Sequence, residues 1–235
     1  MGFTQTAVMG TIRNTITNIK NTINNMFDYD DAGSQNETIK QQEHFEKFGN
    51  IMIDVETLST KTNAAIIEIA AVEFNKLSGE IGDTFNVIIK TSEWGKNNRD
   101  VDGETVLWWM NQSEDTKKKY SSKENNMYNL HNALCELTLF IKKHDNADKQ
   151  TDGSVVVWGN GATMDITILQ SAYEHFNMET PWKYWAVNDC RTIVDLLPYV
   201  KEQSSFDGTK HDPIDDCKHQ IKYVTDTIKH LKIAQ

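Results

Sequence analysis

Asp54 and Glu56 close the run Ile51-Met52-Ile53-Asp54-Val55-Glu56-Thr57, two carboxylates spaced two apart behind three apolar residues. In a strand, where side chains alternate with period 2, that spacing sets both acids on one face. Like charges side by side at the end of a buried strand repel unless a cation neutralises them, which is the chemistry of a hard-metal site with oxygen ligands. A strand running out into an acidic, solvated loop has the same local sequence, so the pair must be read with the other acids of the chain. Three further groups stand at comparable places. Asp165 follows Gly159-Asn160-Gly161 at the first turn of a helix, and His211 precedes Asp216 by five positions around the start of the last helix.

Asp54, Glu56, Asp165 and Asp216 therefore come from three separated segments, each at a strand end or a helix beginning. Oxygen ligands of this kind suit Mg²⁺ or Mn²⁺, and two such ions about 3.5–4 Å apart clamp the attacking and leaving oxygens of an in-line phosphoryl displacement. An imidazole can take the proton from an attacking water at neutral pH, a role open to His211. Read singly, Asp165 is equally a stabiliser of a helix N-terminus.

Elements that could position these groups are legible in the hydrophobic pattern. Residues 50–90 read as a three-strand meander: the strand carrying Asp54 and Glu56, then Ala64–Phe74, then Thr84–Lys90 with Phe85, Val87 and Ile89 alternating, and a turn at Ser78-Gly79. Glu68 and Glu73 within the second strand read as solvent-face residues. Residues 103–112 open a helix with Thr105 near its start, followed by a Lys-rich turn at Lys117–Lys119. Of the adjacent Trp108 and Trp109, at most one fits the core, which leaves the other to offer a stacking face to a base.

A second helix spans Asn129–Lys143, with Leu130, Leu134, Leu137 and Ile141 on one stripe. Ser154–Trp158 is a short apolar strand of the kind found mid-sheet under cover on both faces, and the glycine-rich turn after it is where an α/β protein places its site. Asp189-Cys190-Arg191-Thr192 leads into an apolar run stopped by Pro198. Asp212 is a good N-cap and Pro213 suits the first helical position, so the last helix starts firmly there, with Asp216 in its first turns and His211 on the loop just outside.

Residues 1–48 differ in character. Ile12, Ile16, Ile19, Ile23 and Met26 form a heptad-like stripe on an Asn- and Thr-rich segment, read as an amphipathic helix that packs on its own domain or seeks self-association or a protein partner. Residues 28–48 are nearly devoid of apolar side chains and read as a polar linker to a domain spanning 49–235. A net charge of -10 argues against a broad basic surface for duplex nucleic acid, yet clustered carboxylates can bind phosphates locally through metal ions. Three cysteines, far apart and without a Cys-x-x-Cys pair, indicate reduced thiols and a cytoplasmic setting. No apolar run is long enough to cross a membrane.

The ordered motifs Asp54-Val55-Glu56, Asp165 after its glycine-rich approach, and His211 with Asp216 resemble the DEDDh 3′–5′ exonucleases. Thr105-Val106-Leu107-Trp108-Trp109-Met110-Asn111-Gln112-Ser113 and Asp189-Cys190-Arg191-Thr192 narrow the likeness to the tailed-phage exonuclease A proteins and the related bacterial exoribonuclease-like group, over roughly residues 50–232. The resemblance implies a ribonuclease H-like α/β fold, a mixed sheet beginning with an antiparallel meander and flanked by helices. It implies a metal-dependent 3′–5′ exonuclease that releases nucleoside 5′-monophosphates from single-stranded nucleic acid with a free 3′ end. DNA is the favoured substrate, with an exoribonuclease using the same site, or a catalytically silent nucleic-acid-binding module, as alternatives. Asp54, Glu56, Asp165 and Asp216 would hold two metal ions and His211 would be the general base. A phage origin would place it in the host cytoplasm.

Overall fold

The computed structural model describes residues 49–121, 127–144 and 154–233. The amphipathic helix and polar linker read in residues 1–48 lie outside the described residues. The chain order is β1 (Asn50–Thr57), β2 (Ile66–Phe74), β3 (Ile81–Ile89), α1 (Gly103–Met110), α2 (Glu114–Ser121), β4 (Met127–Tyr128), α3 (Leu130–Lys143), β5 (Val156–Gly159), α4 (Asp165–His175), β6 (Val187–Asp189), α5 (Cys190–Val194), α6 (Pro198–Gln203) and α7 (Pro213–Ile233). Six strands form one sheet in the order β4-β3-β2-β1-β5-β6. β1, β2 and β3 make the antiparallel meander, while β5 runs parallel to β1 and β6 parallel to β5.

The pleat of β1 divides the molecule. Ile51, Ile53 and Val55 point to the face covered by α3 and α4, where Leu134, Leu137, Leu169 and Tyr173 complete the larger core. Met52 points the other way and packs with Trp158, Cys190, Cys217, Ile221 and Val224 beneath α5 and α7. By the same alternation Asp54 and Glu56 face the α7 side. Both faces being covered explains the near-continuous apolar sequence of β2.

That cover also corrects the reading of Glu68 and Glu73, which are 0% and 1% exposed rather than on a solvent face. β2 is packed on both faces, with residues in the cores on either side of the sheet, so neither face meets water. Glu73 lies on the α3 side, where Nδ1 of His144 sits 2.7 Å from its Oε1. Glu68 lies on the α7 side, opposite Glu56 in the β1–β2 register. The second correction is at Lys117–Lys119, which sit inside α2 rather than in a turn. Ser113 accepts from the backbone N–H of Thr116 at 3.2 Å, and acids in the first turn with lysines in the last suit the helix dipole.

Caps set the remaining helix starts. Asp102 is the N-cap of α1, accepting from Thr105 N at 2.9 Å, and Asn129 caps α3 by accepting from Asn132 N at 2.8 Å. Asp212 accepts from Ile214 N at 3.2 Å and Asp215 N at 3.3 Å, with Pro213 at the first helical position of α7, as its sequence predicts. Of the tryptophan pair, Trp109 is buried and donates from Nε1 to Thr57 O at 2.9 Å, while Trp108 stays 43% exposed.

Leu137 is wholly buried on α3. Leu137→Ala is expected to destabilise the fold by about 2–5 kcal/mol, the range for a buried leucine truncated in a packed core. Because the carboxylates face the opposite side of the sheet, turnover at 25 °C should stay within twofold of the unmodified chain. Urea denaturation and a nuclease assay on the same preparation check both halves of this expectation.

Candidate active site

β1 delivers Asp54 and Glu56 because it is locked between β2 and β5 and ends where the sheet opens. α7 supplies the opposing wall. Its N-cap geometry sets Asp216 in the first turns, and Cys217 buries its thiol against Met52 O at 3.6 Å. One turn beyond Asp216, Gln220 donates from Nε2 to Asp54 Oδ1 at 2.8 Å. Glu56, His211 and Asp216 each place a potential ligand atom within 4.8 Å of the others.

His211 occupies the left-handed backbone region, φ 64°. That conformation is uncommon for a residue with a side chain and is held here by contacts on both sides. Its N–H donates to Asp216 Oδ2 at 3.1 Å. Its ring meets Trp108 edge to face with centroids 4.8 Å apart, and Trp109 lies behind at 6.4 Å. Trp108, Glu56, Thr57, Ser59 and Met164 border a cavity of about 560 Å³ that opens beside these groups.

Asp165 arrives from the turn after β5. Gly159 permits its approach, since a Cβ there would lie 3.2 Å from Asp165 Oδ2 and 3.3 Å from the Ala162 backbone. Val55 N donates to Asp165 Oδ1 at 3.5 Å, so Asp165 is bound to the same strand that carries Asp54 and Glu56. The turn is clamped by Asp189, which accepts from Ala162 N at 2.6 Å with one oxygen and caps α5 at Thr192 N with the other. Arg191 lies over Gly161, whose φ of 106° and closeness to the guanidinium, 3.3 Å from a Cβ, both favour glycine. Thr192 reaches the turn through Asp189, to which its N–H donates.

The electrostatics follow from this crowding. Burial first, and then the Asp165 charge, hold the Asp54 carboxyl well above its ordinary range, against the Gln220 hydrogen bond. Burial, Asp54, Asp216 and Glu68 push Glu56 up to about 9, with Lys119 opposing. Burial raises Asp165 to about 7 although backbone N–H groups and Arg191 pull it down. Asp216 is raised by burial, with the adjacent His211 countering. Clustered carboxylates that repel one another, with an imidazole among them, are a donor set suited to divalent cations, whose charge reverses these shifts.

Of the five residues singled out in the sequence, Glu56, His211 and Asp216 meet within 4.8 Å, while Asp54 is close enough to Asp165 and Asp216 to feel both charges. Gln220, Glu68 and Lys119 were missed. Gln220 had a signal, since it falls four positions after Asp216 and therefore on the same helix face. Glu68 and Lys119 depend on strand register and on the placement of α2, which no local spacing reveals.

Residues 49–228 match the 3′-5′ exoribonuclease Rv2179c-like domain family. The chain belongs to this family. It is a metal-dependent 3′–5′ exonuclease with a ribonuclease H-like fold. The exonuclease is also 23% identical over 201 residues to an exodeoxyribonuclease of Enterobacteria phage T4, covering 73% of this chain and 86% of the phage protein. Among solved structures it resembles a 3′-exonuclease described for 3′-end-specific recognition of a histone mRNA stem-loop (15% identity, 77% of this chain and 81% of the other, TM-score 0.50). The nuclease domain of 3′hExo, a DEDDh family member bound to rAMP, is similar to the same degree (14% identity, 79% and 94%, TM-score 0.50). The E. coli ExoI–ssDNA complex in its zinc-bound form shares 12% identity over 79% of this chain, which spans 40% of that longer one (TM-score 0.50). No helix among the described residues of the exonuclease is long and apolar enough to cross a membrane.

Metal-free stability follows from the carboxyl shifts. A carboxyl raised in the folded state contributes stability that is full below its ordinary value, 3.8 for Asp165 and 4.5 for Glu56, and lost as pH rises through about 7 and about 9. Carboxyls held low, such as Asp102 and Asp189, act in the opposite sense but only at more acid pH. In EDTA the urea midpoint should therefore fall between pH about 5 and 9, and Glu56→Gln should flatten the upper part of that fall. A midpoint that rises across this window contradicts the assignment.

Proposed function

We propose that Asp54, Glu56, Asp165 and Asp216 hold two divalent ions, Mg²⁺ or Mn²⁺, and that His211 is the general base of the exonuclease. The observation that carries this reading is the gathering of Glu56, His211 and Asp216 within 4.8 Å at the end of β1, with the Asp54 carboxyl beside them raised by burial and by the charge of Asp165. When bound, the ions neutralise the scissile phosphate and favour hydroxide over water as nucleophile. The chain's own residues do the rest. Gln220 orients Asp54 by donating to one of its oxygens. The Asp216 carboxylate takes the His211 N–H, so the imidazole is presented by a backbone that is itself fastened to a ligand.

His211 then accepts a proton from the attacking water, for which an imidazole has a suitable affinity at neutral pH. Trp108 is exposed on the cavity beside Glu56 and offers a ring face on which the 3′-terminal base stacks. The substrate is single-stranded nucleic acid with a free 3′ end, released as nucleoside 5′-monophosphates in the cytoplasm, the host's if a phage carries the gene. DNA is favoured, supported by the phage exodeoxyribonuclease relative. The family description supports the alternative, an exoribonuclease using the same groups. Residues 1–48 precede all five groups and serve self-association or a protein partner rather than chemistry.

A 5′-labelled oligonucleotide ladder, DNA against RNA, with Mn²⁺ or EDTA, tests the assignment. Asp54→Ala and Asp216→Ala are each expected to abolish hydrolysis, and near-normal turnover at saturating Mn²⁺ in either would refute the ligand set. His211→Ala should lose about 10²–10⁴ in turnover while retaining metal binding by calorimetry. Loss of metal binding in that variant would make His211 a ligand instead, a role its closeness to Glu56 and Asp216 permits. Faster cleavage of RNA than DNA overturns the DNA preference alone. A truncated chain 49–235 that folds but cannot cleave short oligonucleotides would show that the N-terminal segment completes the site.

A further inference from the structure

α2 brings a cation to the carboxylate side of the sheet. Lys119 Nζ lies 2.7 Å from Glu68 Oε1 and 2.8 Å from Asp212 Oδ2, and Tyr120 donates its hydroxyl to the other Glu68 oxygen at 2.6 Å. The Glu68 side chain has no exposure and that of Lys119 only 23%. Glu68 faces Glu56 directly across the antiparallel register of β1 and β2. Carboxylates in that relation repel, and a buried charge is tolerated only with a close partner.

Asp212 has a divided role. Its Oδ1 caps α7 through the N–H groups of Ile214 and Asp215, and its Oδ2 takes Lys119. The residue before it is His211, in the left-handed region with its N–H on Asp216. A single ammonium therefore spans two places. One is the strand position opposite Glu56, and the other is the residue from which the His211 backbone departs.

We propose that Lys119 is a positioning residue of the exonuclease: by tying buried Glu68 to Asp212 it fixes the loop that presents His211 and keeps the Glu68 charge partnered away from Glu56. The inference rests on the reading of His211 and Glu56 as members of the reacting site. Stability is a poor account of this arrangement, because ordering and partly desolvating a lysine between two carboxylates offsets most of the attraction gained. Placement is a better one. A misplacement of about 1 Å in a reacting group can cost on the order of a hundredfold in rate.

The test uses the full chain, a single-stranded oligonucleotide and saturating Mn²⁺. Lys119→Met should lower kcat by roughly tenfold to a hundredfold with KM within twofold, and Lys119→Arg should recover most of the loss. Asp212→Asn should be impaired in the same parameter. If Lys119 acts through Asp212, the double variant Lys119→Met/Asp212→Asn is no slower than the slower single one. Losses that multiply in the double variant, or normal kcat in Lys119→Met, overturn the proposal. Should Lys119→Met fail to fold, Lys119→Met/Glu68→Gln removes both charges of the buried pair. It is expected to fold and still show low kcat, and full kcat there also overturns the proposal. His211→Ala separates the two layers. Normal turnover in that variant removes the base assignment and this inference together, whereas slow His211→Ala beside normal Lys119→Met removes this inference alone.

Discussion

Mutual repulsion among carboxylates at the end of β1 is the constraint around which the exonuclease is built. Asp54 and Glu56 share a face, Asp165 and Asp216 approach from two other segments, and burial makes every unneutralised charge more costly. Nothing in the four acids themselves favours their meeting. They are brought together because β1 is fixed by hydrogen bonding on both edges, and because the apolar residues alternating with the acids are fully buried under α3 and α4. The core enforces their meeting, and a donor set of this kind suits divalent cations.

α7 shows how one helix serves both sides of that balance. Cys217, Ile221 and Val224 pack on Met52, Ala70 and Val72, which fixes the helix to the sheet. Asp216 and Gln220, one turn apart, then fall on the line that faces β1. Asp212 and Pro213 define where the helix begins, so the position of Asp216 along the axis is set by a cap and not by the site. The residue left outside, His211, is held by a carboxylate on one side and by Trp108 on the other.

α1 and α2 form a separate group beside the same opening. Trp109 and Tyr120 bury against Leu58 and Ile67, and Trp109 donates to Thr57 O at the end of β1. This small core places the exposed ring of Trp108 on the cavity and Lys119 between Glu68 and Asp212. A segment that reads as surface helix and charged turn is thereby tied to the sheet, to the loop of His211 and to the wall of the cavity.

Local chemistry alone singled out the five candidate site residues and showed where most elements lie. Asp54-x-Glu56 after an apolar run, Asp165 behind a glycine-rich turn, and His211 before an Asp-Pro helix start are readable because strand period, turn residues and caps act over a few positions. The meander, α3 and α7 were readable for the same reason, as was the burial of one tryptophan of the pair. Only the tertiary structure decided which side of β2 meets what. Glu68 and Glu73 read as solvent-facing because an acid in a strand usually is, yet β2 lies inside the sheet with helices over both faces, and each acid acquires a buried partner, Tyr120 for Glu68 and His144 for Glu73. Lys117–Lys119 read as a turn because lysine runs are commonly solvated, while Ser113 starts a helix there and swings Lys119 inward. The pairing of Glu56 with Glu68 depends on strand register, and the reach of Lys119 to Asp212 spans 93 positions in sequence. Such contacts are fixed by register and helix packing, for which a single sequence carries no local mark.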